Sequence, residues 1–253
     1  MSTAGSYLYG FTDRQFQPRP ELRGLGGAPV HILPFRDVAA VVSPHPVQRL
    51  MPLRSNLEPH HRIVRHISTE ASLVPAAFGH ISESPDDILG VLRANYDEIR
   101  EELERLSGKC EMTVKLSWSV PNIFDFMVRQ DRALRDLRDR VFRDRQPSMN
   151  EKLQVGSAFE ATMTRERERL GRALLGALSA VTCDVVTTPP REEKTVTHAA
   201  LLVARTRTAD FEQLIETAAR LFDANYTLQY SGPWPPYSFV RLRLQPAAPT
   251  AAA

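Results

Sequence analysis

The first seventy residues alternate short apolar runs with breaks. "SYLYGFT" (6–12) is aromatic-rich and carries Gly10 and Thr12 towards its end, which predicts a first strand. The proline- and glycine-bearing stretch 17–29 predicts a loop. "PVHILPF" and "DVAAVVS", divided at Phe35-Arg36-Asp37, have the pattern of a hairpin. The prolines of "PHPVQRLMP" remove backbone donors and fix φ, so neither strand continues. From Asn56 the period lengthens: Ile63, Ile67 and Ala71 lie four apart with Val64 beside them, one apolar face of a helix. "LVPAAFGHI" (73–81) interrupts that period with Pro75 and Gly79 and predicts a short extended segment. In "SPDDILGVLRANYDEIREELERLSG", Ser84 suits the N-cap, Pro85 the first helical position, and Asp86 and Asp87 the positive end of the dipole. Ile88, Leu92, Ile99, Leu103 and Leu106 form its buried stripe and Gly108 stops it. "KCEMTVKLSWS" then sets Met112, Val114, Leu116 and Trp118 against Glu111, Thr113, Lys115 and Ser117, a half-buried strand.

Residues 121–182 predict helix throughout and are rich in charge. One stripe runs Ile123, Met127, Leu134, Leu137 and Val141, and breaks near "RQPSMN". A second runs Phe159, Met163, Leu170, Leu174, Leu178 and Val181. "CDVVTTPPREEKTVTHAALLVA" predicts strand, proline turn, strand; "TADFEQLIETAARLF" a helix with Phe211, Leu214, Ile215, Ala218 and Leu221 inward; "YTLQYSG" and "YSFVRLRL" the last two strands. The class is α+β, organised as two small ferredoxin-like α+β domains joined by a charged helical segment. The expected boundaries are 1–120 for the first domain and 121–245 for the second, whose sheet part is 183–245. The small-residue stretch 246–253 is expected to be a disordered tail.

Composition narrows the chemistry. The 253 residues are enough to bury a real core, and a formal charge of +2 is too small to imply nucleic acid or an anionic membrane as partner. No apolar run approaches the roughly 20 residues that cross a bilayer, and the N-terminus lacks the pattern of a signal peptide. Cys110 and Cys183 alone make neither a disulfide framework nor a zinc site, so reduced, cytoplasmic residence is the expectation. Cys183 opens an apolar strand and is expected in or near the core.

Three stretches are candidates for function. "EPHHRIVRHISTE" gathers His60, His61 and His66, but Val64 and Arg65 occupy the i+4 positions a metal would need. Arg62 would also repel a cation beside His66. The stretch reads as a solvated helix face. "VRQDRALRDLRDRVFRDR" (128–145) alternates its charges as i,i+4 pairs, Asp131 with Arg135 and Arg132 with Asp136 among them. These neutralise the field that phosphate binding would need and leave a solvated or partner-facing helix. No dinucleotide fingerprint, Walker loop or nucleophile elbow occurs, so no catalytic residue, cofactor or metal is expected. The third stretch, "SGPWPPYSFVRLRL" (231–244), is a stiff arch: Pro233, Pro235 and Pro236 restrict φ, and Gly232 takes angles its neighbours cannot. Trp234 at its centre either tucks under as a cap on the sheet or points out as an interface anchor. The physics of a large ring favours the cap.

That arch, "SGPWPPYSFV", resembles the C-terminal signature of the gas vesicle GvpF/GvpL family. "YLYGF", "LVPAAFGHI", "CEMTVKLSW" and "VGSAFEATMTRERER" resemble family segments in the same order, from Tyr7 to about Leu244. Ala76-Ala77 stand where relatives often carry bulkier or basic residues. The resemblance implies two α+β domains, the first ferredoxin-like and the second a modified version. It implies a non-enzymatic accessory or minor structural protein of the gas vesicle that binds the hydrophobic shell protein and supports nucleation or assembly. Other gas vesicle accessory proteins are further expected partners, nucleic acid and lipid membrane are not, and some members lie at the gas-facing side of the wall. The candidate interaction residues are Trp234, Pro235, Pro236, Tyr237, Arg132 and Arg135. Two other readings compete: a ligand-binding regulatory protein built on paired ferredoxin-like domains, and a nucleotide-independent enzyme using His60, His61 or His66. A deep histidine-lined pocket would favour the enzyme; a pocket-poor surface with exposed apolar patches favours the vesicle protein.

Overall fold

A computed structural model describes residues 4–143 and 146–246. The expected tail lies, beyond residue 246, outside the described residues. The chain divides into two compact units: one holds the residues up to Glu111 together with those from Gly232 onward, the other Met112–Ser231.

The first unit is built on β1 (Ala4–Asp13), which pairs antiparallel with β3 (Val38–Pro46) on one side and with β4 (Leu73–Pro75) and β5 (Ile81–Ser82) on the other. β2 (His31–Phe35) forms the expected hairpin with β3, giving the order β2-β3-β1-β4. Val38 to Ser43 are buried without a break, so β3 is covered on both faces and reads as a continuous apolar run. Tyr7, Tyr9 and Val41 pack with Ile63, Val64 and Ile67 of α1 (Arg54–Glu70). The helix expected from Ser84 to Gly108 is two helices, α2 (Pro85–Ala94) and α3 (Tyr96–Leu106), broken at Asn95. Ser84 caps α2 in a capping box with Asp87, as its sequence requires.

β6 (Lys109–Trp118) leads into the second unit from Met112 on; α4 (Ile123–Gln130), α5 (Arg132–Phe142), α6 (Met149–Leu178), β7 (Thr182–Thr188), β8 (Thr195–Ala204) and α7 (Thr208–Ala219) follow, and β9 (Tyr226–Trp234) leaves the unit after Ser231. The strands form a second antiparallel sheet in the order β7-β8-β6-β9. Met127, Leu134, Met163, Leu170, Leu174 and Leu178 are buried with Val114, Leu116 and Leu201 of that sheet. The charged helical segment therefore contributes to the second unit's core. β6, expected to complete the first sheet, supplies a central strand of the second. Within the helices Asp131 caps α5 by accepting from Leu134 N (3.0 Å) and takes Thr162 Oγ1 (3.1 Å) and the Arg165 guanidinium of α6. It thus turns away from the expected partner Arg135, whereas Arg132 and Asp136 do meet (3.7 Å). Cys183 is exposed, because β7 is an edge strand whose Val185 and Val186 are also exposed.

The run "YSFVRLRL" is not a strand. Tyr237–Phe239 make one 3-10 turn, and residues 240–246 run on without sheet pairing. The expected boundary near 120, with 121–245 as one domain, is corrected accordingly: Gly232 onward returns to the first unit. Side chains hold it there. Glu102 accepts from Arg241 N (2.7 Å), Glu111 from Ser238 N (2.8 Å) and Ser238 Oγ (2.9 Å), and Asn95 both accepts from Gln245 N (2.7 Å) and donates to Gln245 O (3.0 Å). Arg105 adds a bond to the Phe239 carbonyl.

Candidate functional site

A groove of about 930 Å³ lies in the first unit, with one wall from α1 and the other from the arch that starts in the last residues of β9. On α1, His61, Arg62, Arg65, His66 and Thr69 share one face, since positions three and four apart stack along a helix. The facing wall is Trp234, Pro235 and Tyr237, with Glu111 between. The arch takes its shape from a cis Gly232–Pro233 peptide and from Gly232 at φ +136°, an angle that suits glycine.

His60 sits beneath this groove and is fully buried, contrary to the expectation of a solvated face. The reason lies far away in sequence. Its ring stacks on Tyr9 at 5.9 Å and meets Tyr7 and Phe78 edge-on at 5.7 Å. Both ring nitrogens are bonded, Nδ1 to Tyr7 Oη (2.8 Å) and Nε2 to Tyr237 Oη (3.1 Å). Gly79 N–H donates to Tyr7 Oη (3.0 Å), so the arrangement that satisfies every group has Tyr7 O–H donating to His60 Nδ1 and His60 Nε2–H donating to Tyr237. Burial, with His61 nearby, lowers the His60 pKa to about 4, so the ring is neutral. Burial also pushes Tyr7 up to about 12 and raises Tyr237, keeping both hydroxyls protonated. A neutral imidazole with both nitrogens bonded between two tyrosines is a structural strut.

Trp234 is 40% exposed and stands beneath the Arg65 guanidinium, whose Cζ lies 5.7 Å from the ring centroid. The tucked cap expected for it is thus not the arrangement found. The burial falls instead on its neighbours: Pro235 and Pro236 are buried, and Tyr237 is half-buried against the aromatic cluster. Arg132 and Arg135 are exposed on α5 in the second unit. The six candidate interaction residues therefore divide between the two units. Glu102, Glu111, Asn95 and Ser238, which fasten the arch, carry no motif. Glu111, on the polar face of the alternation in β6, is buried all the same. Among the described residues no group of three or more histidine, cysteine, aspartate or glutamate side chains is gathered for a metal ion, and no helix is long and apolar enough to cross a membrane.

Comparison with known proteins agrees with this architecture. The family model for gas vesicle synthesis protein GvpL/GvpF matches residues 5–241. Gas vesicle protein F of a Streptomyces species is 30% identical over 241 residues, covering 93% of this chain and 99% of that one. The corresponding protein of Dolichospermum flosaquae is 22% identical over 239 residues, covering 93% and 97%. The crystal structure of GvpF from Anabaena sp. PCC7120 superposes with a TM-score of 0.83 at 23% identity, over 95% of this chain and 99% of that one. The GvpF structure from Microcystis aeruginosa gives 0.81 at 21% identity, over 94% and 99%. With a match of this extent, the chain belongs to the gas vesicle GvpL/GvpF family.

Proposed function

We propose that this protein is a non-enzymatic accessory or minor structural component of the gas vesicle that works from the cytoplasm. In this reading it binds the hydrophobic shell protein, with other accessory proteins as further partners, and supports nucleation or assembly of the wall, with a place on its gas-facing side. The observation that carries the reading is the family match over residues 5–241. The chemistry of the site supports it: the buried histidine is neutral and fully bonded, and the groove offers charge and an aromatic face but no activated nucleophile. The topology supports ferredoxin-like modules, because both sheets follow the order second-third-first-fourth strand of their unit, and the second unit has the complete β-α-β-β-α-β string. An irregular loop replaces the first helix of the other.

A shell subunit that is insoluble alone needs apolar surface to receive it. The stripes of α4 to α6 are mostly consumed by their own core, which leaves Met149 (72% exposed), Leu153 (61%) and Phe142 (48%) around the start of α6. These residues, with Arg132 and Arg135 on α5, form the proposed receiving surface of the second unit; Trp234 to Tyr237 form that of the first. The test is co-expression with the shell protein followed by affinity capture. Wild-type protein is expected to retain the shell protein, and Met149→Glu combined with Leu153→Glu to lose most of it at unchanged thermal midpoint. Failure of the wild type to retain any shell protein overturns the binding reading.

A further inference from the structure

We propose that the groove between α1 and the arch is a docking site for an acidic peptide segment, one that carries carboxylates beside an aliphatic or aromatic side chain. The proposal concerns the first unit alone and does not depend on the identity of any vesicle partner.

The charges on the groove walls are unequal in a way the formal count hides. With Arg54, which lies 3.9 Å from Glu58, three guanidinium groups stand against two carboxylates, and the second carboxylate, Glu111, has both oxygens bonded by Ser238. The groove's two guanidinium groups are not neutralised. Arg62 donates one N–H to the Arg23 carbonyl (3.1 Å), and Arg65 lies over the Trp234 ring. Neither is ion-paired among the described residues. A guanidinium has five donors in a planar fork, so both keep the geometry that grips a carboxylate in two parallel bonds.

The apolar half of the recognition is Trp234, 40% exposed, with Pro235 beside it on the groove wall. Rim cations over an exposed tryptophan suit a ligand that is charged at one point and apolar at the next. The volume, near 930 Å³, is at the upper end of the roughly 300–1,000 Å³ typical of ligand pockets and is far more than one small anion fills. The floor is preorganised by the Tyr7–His60–Tyr237 chain, so binding need not order it.

The probe is a fluorescein-labelled octapeptide of alternating glutamate and leucine, titrated with full-length protein at low salt and followed by anisotropy. An octapeptide of alternating lysine and leucine is the control. The acidic peptide is expected to bind saturably, the basic one not at all. Arg62→Ala with Arg65→Ala should weaken binding roughly ten-fold or more, as loss of charge-assisted bonds does. A wild-type measurement removes any dependence on the variant's folding. Of the two tryptophan indole N–H resonances, the one absent in Trp234→Phe should shift on titration with the acidic peptide. Equal binding of both peptides, an unmoved Trp234 resonance, or an equal response to free glutamate would each overturn the proposal.

Discussion

His60 shows what a single residue does here. Three histidines within seven positions look like surface or metal chemistry, yet the partners that decide the matter, Tyr7 and Tyr237, lie 53 and 177 positions away and cannot be read from local spacing. Its neutrality makes a pH prediction. The folded pKa is about 4, against 6.5 for the unconstrained ring. Above pH 6.5 the ring is neutral in both states, so its contribution is complete. As pH falls from 6.5 towards 4, the unfolded chain takes up a proton that the folded chain refuses, and roughly 3 kcal/mol of stability is lost. The urea midpoint of the first unit should therefore drop across that window, and drop less in His60→Gln. Parallel curves would show that other groups dominate. Gly24 gives a second prediction at this scale. A Cβ there would lie 2.1 Å from Tyr9 Oη, a hydroxyl already fixed by Leu25 N (2.9 Å) and Ser43 Oγ (3.0 Å). Gly24→Ala should cost about 1–3 kcal/mol by overpacking, measured as a lowered denaturation midpoint. A neutral substitution would mean the loop moves freely aside.

Elements were legible where their signals are local. The capping serine Ser84, the hairpin at Arg36, the stripe of α6 and the alternation of β6 all follow from spacing of a few residues, and the structure has them. The family resemblance read from ordered segments was legible for the same reason. What failed was decided at a distance. At the break between α2 and α3 Asn95 turns its amide to Val91 O and to Gln245, and a helical period gives no sign of a partner 150 residues downstream. "YSFVRLRL" alternates as a strand should, but Glu102 and Glu111 take its backbone and side-chain donors, so no sheet edge receives it. A large ring favours burial, yet Trp234 is 40% exposed while Pro235 and Pro236 beside it are buried. The local rules also make a clean prediction. Ser148 caps the 30-residue α6 in a reciprocal box with Glu151. Ser148→Ala should lower stability by about 1 kcal/mol, seen as a shift in denaturant midpoint with an unchanged slope. A changed slope would place the effect in the unfolded state.

At the scale of the molecule, the first unit is closed by a segment that the chain supplies only after finishing the second. Glu102, Glu111 and Asn95 are all buried, and each takes part of its hydrogen bonding from residues 238–245. For Glu102, burial alone would raise the pKa, yet the bonds from Arg105 and from Arg241 N hold it below the usual value, so it stays charged. Phe239, fully buried, adds its ring to the same unit. A chain ending at Ser231 would leave two buried carboxylates and a buried amide short of partners, at about 1–3 kcal/mol each, and would remove the Phe239 ring at about 3–5 kcal/mol. That sum reaches the whole stability of an ordinary domain, roughly 5–15 kcal/mol. Hydrogen exchange on the truncated chain should therefore show β1, β3 and α1 stripped of protection, although they lie more than a hundred residues before the cut. The amides of α6, β8 and α7 should keep theirs, because their core contains nothing after Ser231. Unchanged protection in β1 would mean the arch is an appendage, and the groove it walls could then be removed without touching the fold beneath.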